Sequence, residues 1–479
     1  MMRLVDEVDD LLVRLRTGND AFARHYAGCG ERPQPVHTLY WGAHRFRADS
    51  FTRLGDAALA SFTTYAEDPA QLARALAFPG ADTLPRDRAG LEQIAARHVG
   101  DPVAFAADMP HAQLAWAVYD RVRDKLVRAP IEDLRIDFED GYGIRPDAEE
   151  DADAEACARA LASAIAAGEA SAASGIRIKP LTTANVQRSI ATLDRFVTTL
   201  VEAHGGVPSG FRITLPKVQM VEHVDVAIEL LARLERRLGL ADGSLQFELM
   251  VEVTQVLFDP HGRFTLPLLV RAGGPRLVAV ALGVYDFTAS CGITAAWQSI
   301  DHPMCDLARG LMMLACSGTQ VQICDGSTNV LPVEPDANGS VGDETVRRNR
   351  EAIWRAWRLS HEHVRRSLVG GWVQGWDLHP AQIPVRFAAN YRFYLEALAA
   401  ASARLSDYLS RATAATDGAA VLDDAATGQA LLGFFHRARA CGAIGDAEML
   451  AAGLHPHELE QRSFVELLTG RRATRAVLG

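Results

Sequence analysis

Lysine is scarce in this chain: of 49 Lys and Arg residues, only Lys125, Lys179 and Lys217 are lysines. The 7 cysteines are odd in number, scattered and without a Cys-x-x-Cys pair, which excludes a disulfide framework and a cysteine zinc site. They read as reduced, buried small residues, with Cys291 the one close to a candidate site residue. No apolar run nears the roughly 20 residues that a membrane-spanning helix needs; Leu277 to Val284 is typical of the longest. No basic block interrupts a formal net charge of -11, so neither nucleic acid nor an anionic membrane is expected as a partner. No Gly-x-Gly-x-x-Gly or Walker-type loop follows a strand-like run, which speaks against a nucleotide site. The opening residues, Met1 to Asp10, carry acids where a secretory signal needs positive charge and an apolar stretch. A cytoplasmic location is therefore expected.

What is present is a hydrophobic content of 48% and a charged content of 23% in 479 residues, ordinary globular values that support a sizeable core. From Leu134 onward the pattern alternates between strand and helix, with helices expected over Ala148 to Ala167, Thr183 to Ala203, His223 to Arg237 and Asp301 to Cys316. Strand-like runs start at Val36, Leu134, Gly175, Phe211, Phe247, Leu277, Val321 and Trp376. Alternating β and α in that number predicts an α/β fold, a closed (β/α)8 TIM barrel. Residues 1–35 read as an N-terminal helical segment and 36–384 as the barrel, with a helical insertion over about 50–130. Residues 385–479 read as a helical C-terminal extension.

Five of the runs are largely apolar and end in charge: Leu134 to Asp140, Gly175 to Lys179, Phe211 to Lys217, Phe247 to Glu252 and Leu277 to Asp286. A buried parallel strand delivers such side chains to its C-terminal end, where (β/α)8 barrels carry their chemistry. Alternation places Asp137 with Glu139, Arg177 with Lys179, and Glu248 with Met250 and Glu252. Charges turned into a lumen are costly unless paired or metal-bound. Two carboxylates from different strands, Glu252 and Asp286, suit a Mg2+ ion that keeps open positions for substrate. A 2-oxo acid can chelate that ion, which then stabilises the enolate formed as a neighbouring C–C bond breaks or forms. Arg177 suits a substrate carboxylate or oxyanion through its two-pronged fork. Glu248, deeper on its strand, reads as a structural ion-pair partner. Lys179 and His379 are rim candidates for substrate binding. His37 and His44 lie near the first strand and read as scaffold before catalysis.

The motifs Asp137-Phe-Glu-Asp140, Arg177-Ile-Lys179, Leu215-Pro-Lys-Val218, Val251-Glu-Val-Thr-Gln255, Leu282-Gly-Val-Tyr-Asp286 and His379-Pro-Ala-Gln382 stand in a telling order. It resembles the citrate lyase beta-subunit-like branch of the HpcH/HpaI aldolase family, within the phosphoenolpyruvate/pyruvate barrel superfamily. The resemblance covers roughly Val36 to Pro384 without the insertion. It implies Mg2+ ligands at Glu252 and Asp286, a substrate-binding Arg177, and an acidic group at Asp137, Glu139 and Asp140 beside the metal's waters. The first strand departs from it, reading Tyr40-Trp-Gly-Ala43 where that branch has an apolar residue and proline. The insertion and the long tail are departures too.

The expected activity is that of a Mg2+-dependent carbon–carbon lyase, aldolase or citrate lyase beta-like, on a small carboxylate, a 2-oxo acid or an acyl-CoA thioester. A malate synthase-like Claisen condensation is the alternative. An aldolase using Lys179 or Lys217 as a Schiff base, and a non-catalytic scaffold or ligand sensor, are the others. The apolar positions Phe387, Tyr391, Phe393, Tyr394, Leu395 and Leu398 in the tail predict a homo-oligomer.

Overall fold

The computed structural model describes residues 8–28, 33–335, 342–414, 425–455, 457–458 and 463–478. Residues 1–7 and 29–32 of the expected N-terminal helical segment lie outside these. Chain contacts divide the molecule into two units, one of Met1–Arg53, Ile131–Asn329 and Gln374–Leu378, the other of Leu54–Pro130, Val330–Val373 and His379–Gly479.

The first unit is the expected barrel. Its strands are β1 (His37–Gly42), β2 (Asp133–Asp137), β3 (Ala173–Arg177), β4 (Phe211–Leu215), β5 (Gln246–Val251), β6 (Leu277–Leu282), β7 (Gln322–Cys324) and β8 (Gly375–Asp377). They run in the order β7-β6-β5-β4-β3-β2-β1-β8, every pairing parallel. A parallel bridge from Cys324 to Gln374 closes the ring, with Asp325 donating its N–H to Gln374 O at 2.8 Å and Trp376 donating to Gly326 O at 3.2 Å. Closure leaves no sheet edge. Helices Asp147–Ala166, Val186–His204, Val221–Leu238 and Pro303–Cys316 stand within two or three residues of their expected bounds. The reasons are local. Val221–Leu238 buries Val224, Ala227, Leu231 and Leu234 along one face and stops at Gly239, whose φ of 68° is left-handed, a common helix stop. Asp147–Ala166 has Asp147, Glu149 and Glu150 in its first turn, where the helix dipole favours carboxylates.

The lumen is layered along β5. Deepest is Glu248, which accepts from Arg135 Nε at 2.9 Å and Nη2 at 2.8 Å, while Thr214 Oγ1 donates to it at 2.6 Å. Asp133 pairs with the same fully buried Arg135 and accepts from Thr38 Oγ1 at 2.9 Å. Glu248 is thus an ion-pair partner, held below the usual carboxylate range: burial would raise it, but Arg135 outweighs that. Two residues further along, the lumen turns apolar, with Tyr40, Met250, Ala281, Cys324 and Trp376 packed together and the Tyr40 and Trp376 rings stacked at 4.4 Å. Inward positions are therefore not charged throughout. Glu252 follows, at the mouth.

The second unit is helical, and its three chain segments are joined by long-range bonds. Trp354 Nε1 donates to Tyr65 O at 2.8 Å, Trp357 Nε1 to Ala381 O at 2.9 Å, and Arg121 Nε to Ala443 O at 2.9 Å. Pro69 and Pro102 open helices capped by Asp68 and Asp101, because proline loses nothing at a first helical position. Helix Ile383–Ala414 buries Phe387, Tyr391 and Tyr394 within the single chain. Phe393, Leu395 and Leu398 stay partly exposed, so the apolar face that motivates a homo-oligomer is covered only in part. No helix among the described residues is long and apolar enough to cross a membrane.

Candidate active site

Charged side chains gather at the C-terminal ends of β2 to β6. Asp137 is the last residue of β2. Its carboxylate accepts from Arg177 Nε at 2.7 Å and Nη2 at 2.5 Å, and from the backbone N–H groups of Glu139 at 3.0 Å and Gly141 at 2.7 Å. All its acceptor capacity goes into holding Arg177 and the turn that carries Glu139 and Asp140. A Cβ on Gly141 would stand 2.5 Å from Asp137 Oδ2, so this turn needs glycine. Because β2 ends at Asp137, it is this hydrogen-bonded turn, and not strand alternation, that positions Glu139.

Arg177 ends β3 and is 4% exposed. One edge of its fork is engaged by Asp137, which leaves Nη1 to face Glu139 at 3.2 Å, Asp140 at 3.5 Å and Glu252 at 3.9 Å. Its guanidinium lies 4.9 Å over the Tyr40 ring. Glu252 stands one residue beyond β5, 1% exposed, with Oε2 accepting the Lys217 backbone N–H at 2.9 Å. Asp286 sits in the first turn of the short helix Val284–Ser290 that follows β6. Carboxylate oxygens of Asp140, Glu252 and Asp286 all lie within 4.8 Å of one another. Sequence reasoning had Glu252 and Asp286 as ligands; the structure adds Asp140 to their group.

Lys217 belongs to this cluster as well. Its backbone adopts a left-handed φ of 50°, uncommon for a residue with a side chain. Its Nζ reaches Asp286 Oδ2 at 2.9 Å and Asp140 Oδ2 at 3.5 Å and pairs closely with Glu139. Lys179 does not join it. Two residues beyond β3, it donates to Phe138 O at 2.7 Å and to Glu150 of helix Asp147–Ala166 at 2.7 Å. His379 lies in the second unit, where its Nδ1 accepts the Ala381 N–H at 3.2 Å and caps the turn Pro380–Gln382. His37 is fully buried and its Nε2 accepts the Glu132 N–H at 3.2 Å. His44 follows β1, its ring 5.9 Å from Tyr142.

Electrostatically the mouth is short of positive charge. Asp137, Glu139, Asp140, Glu252 and Asp286 face Arg177 and Lys217. Burial pushes Glu252 up to about 7 against Arg177 and Lys217, with Asp286 and Glu139 adding to the rise. Burial likewise takes Glu139 to about 7 despite Arg177. Burial would raise Asp140, but its hydrogen bond with Glu139 and the nearby Arg177 and Lys217 hold it low. Burial would lower Lys217, yet the carboxylates around it, Glu252 foremost, hold it above the usual lysine range. Three carboxylate oxygens from the segments that follow β2, β5 and β6, with an excess of negative charge, form a donor set suited to a hard divalent cation. Gly283 is part of the same construction and was not singled out by itself in the sequence: a Cβ there would lie 2.2 Å from Glu252 Cγ.

Among solved structures, Haloferax volcanii malate synthase in a ternary complex with pyruvate and acetyl-CoA is 16% identical. It aligns over 54% of this chain and 60% of that one, at a TM-score of 0.37. The citrate lyase beta subunit of M. tuberculosis complexed with oxaloacetate and magnesium is 18% identical, over 57% of this chain and 92% of that one, at a TM-score of 0.34. No curated protein matches the chain. A family model described as a domain of unknown function (DUF6986) matches residues 15–467, nearly the whole chain, and the chain belongs to that family.

Proposed function

We propose that this barrel is a Mg2+-dependent enzyme that breaks or forms a carbon–carbon bond beside the carbonyl of a 2-oxo acid or acyl thioester. The observation that carries the reading is the convergence of Asp140, Glu252 and Asp286 oxygens within 4.8 Å at the barrel mouth. Oxygen-only donors favour Mg2+ over thiolate- or imidazole-seeking metals. When bound, the ion supplies Lewis acidity that polarises the substrate carbonyl. Arg177, locked by Asp137, keeps its Nη1 edge for substrate oxygens and for charge that develops on them. Asp137 is a positioning residue, and Glu139 tethers the Lys217 ammonium. Both lysines near the site are ion-paired, which opposes a Schiff-base route, since that requires a free amine.

The lyase direction follows the motif resemblance, with the Claisen condensation as the reverse use of the same groups. A panel of 2-oxo acids and acyl-CoA thioesters with Mg2+, read out as pyruvate or glyoxylate release, tests the reading. Turnover should vanish with EDTA and in Glu252→Ala and Asp286→Ala, both of which should remain folded. Calorimetry showing unchanged Mg2+ affinity in those two variants would overturn the assignment.

A further inference from the structure

The Lys217 ammonium and a metal ion draw on the same carboxylates. Its Nζ lies 2.9 Å from Asp286 Oδ2 and 3.5 Å from Asp140 Oδ2, and both residues belong to the trio whose oxygens converge within 4.8 Å. Two features hold the ammonium there. The left-handed backbone at Lys217, φ 50°, turns the side chain back over the mouth. The Lys217 N–H, bonded to Glu252 Oε2 at 2.9 Å, anchors that turn to the third member of the trio. A Mg2+ ion binds oxygen at about 2.0–2.1 Å and demands near-octahedral geometry. An ammonium already paired with two of those carboxylates obstructs that geometry and repels the incoming charge. Lys217 is not sealed in: its side chain is 24% exposed, so it has a path outward.

We propose that the Lys217 ammonium is a displaceable counter-cation of the acid cluster, and that a divalent ion loads the site by driving it off Asp140 and Asp286. The inference rests on the metal reading above. It makes Lys217 a positioning residue with two effects of opposite sign. It neutralises the crowded carboxylates of the metal-free protein, and it weakens metal binding by competition. The backbone bond to Glu252 survives the exchange, so the turn persists while only the side chain moves.

The scarcity of lysine makes the exchange measurable. Limited acylation of the full chain with an amine-reactive reagent, read by mass spectrometry, reports Lys125, Lys179 and Lys217 separately. Saturating Mg2+ should raise acylation of Lys217 several-fold while leaving Lys179, paired with Glu150, unchanged. In calorimetry, Lys217→Met should bind Mg2+ about tenfold tighter than wild type. Its metal-free thermal midpoint should fall and its Mg2+-dependent stabilisation should grow. Lys217→Gly, which removes the amine and suits the left-handed backbone, should show the same tightening if the methionine variant folds poorly. Unchanged or weaker Mg2+ affinity in both variants would overturn the proposal. So would Lys217 acylation that is indifferent to Mg2+ which calorimetry shows to be bound. If wild type and Glu252→Ala take up Mg2+ alike, or neither takes it up, the metal reading fails and this inference fails with it.

Discussion

Gly283→Ala is a test of the site that adds one methyl group and changes no charge. The backbone at Gly283 has φ -95° and ψ 88°, a negative φ that alanine also adopts, so strain there is minor. The added Cβ would instead meet Glu252, at 2.2 Å from Cγ, 2.7 Å from Oε1 and 2.9 Å from Cδ. Carbon atoms settle at about 3.5–4.0 Å, so the Glu252 side chain must shift by more than about 1 Å. All three close contacts are with that one side chain, so the displacement falls on the ligand. Misplacing a reacting or ligating group by about 1 Å costs about a hundredfold, and Mg2+ tolerates distorted geometry poorly. We therefore expect Mg2+ affinity in calorimetry to fall by about a hundredfold, with an overpacking cost in urea unfolding of at most about 1–3 kcal/mol. Gly310→Ala is the control, since nothing lies within 4 Å of its added Cβ and it should be neutral or slightly stabilising. Wild-type Mg2+ affinity in Gly283→Ala would refute the placement of Glu252 as a ligand.

Three further outcomes are expected. Arg177→Lys keeps the charge but loses the two-pronged bond to Asp137, so kcat/KM should drop about a hundredfold or more; near-normal kinetics would return Arg177 to a purely structural role. Arg135→Met leaves Glu248 and Asp133 buried without their cation, which should cost about 3–5 kcal/mol of unfolding free energy, and a loss below about 1 kcal/mol would contradict the buried network. The raised carboxyls give a pH signature. Glu252 and Glu139, ordinarily near 4.5, titrate at about 7 in the folded chain, so the metal-free fold binds more protons than the unfolded chain between these values. Metal-free stability should decline as pH rises from about 4.5 to about 7 and then level. Mg2+ affinity should weaken as pH falls below about 7, because protons compete for the same oxygens. Calorimetric Mg2+ affinity that does not change between about pH 5.5 and about pH 8, roughly one unit or more either side of these values, would contradict this.

The barrel and the gathering of charge at one end of it were legible in the amino-acid order. Charge inside a buried parallel strand is costly, so the charges closing the runs at Arg177, Glu252 and Asp286 pointed to strand ends, whereas Glu248 and Arg135, charged within β5 and β2, pair with each other in the lumen. The helical stripes and their stops were equally local. Alternation, however, lasts only as long as the strand. Lys179 and Lys217 each stand two residues beyond a strand, β3 and β4, and no periodicity tells them apart. A left-handed turn aims Lys217 at the acids, and a buried carboxylate on a neighbouring helix draws Lys179 away. Asp140 met Glu252 and Asp286 for a similar reason: Asp137 captures the backbone N–H groups of the turn after β2, a contact no spacing encodes. Gly283 is needed because a residue 31 positions earlier occupies the space of its missing Cβ. The second unit draws on three separated segments, and its joining bonds span up to 322 positions. Local propensity and burial pattern thus determined the elements and the faces they bury. The acidic trio, the ammonium beside it and the helical unit depend on contacts between distant residues, and only the closed tertiary structure decided those.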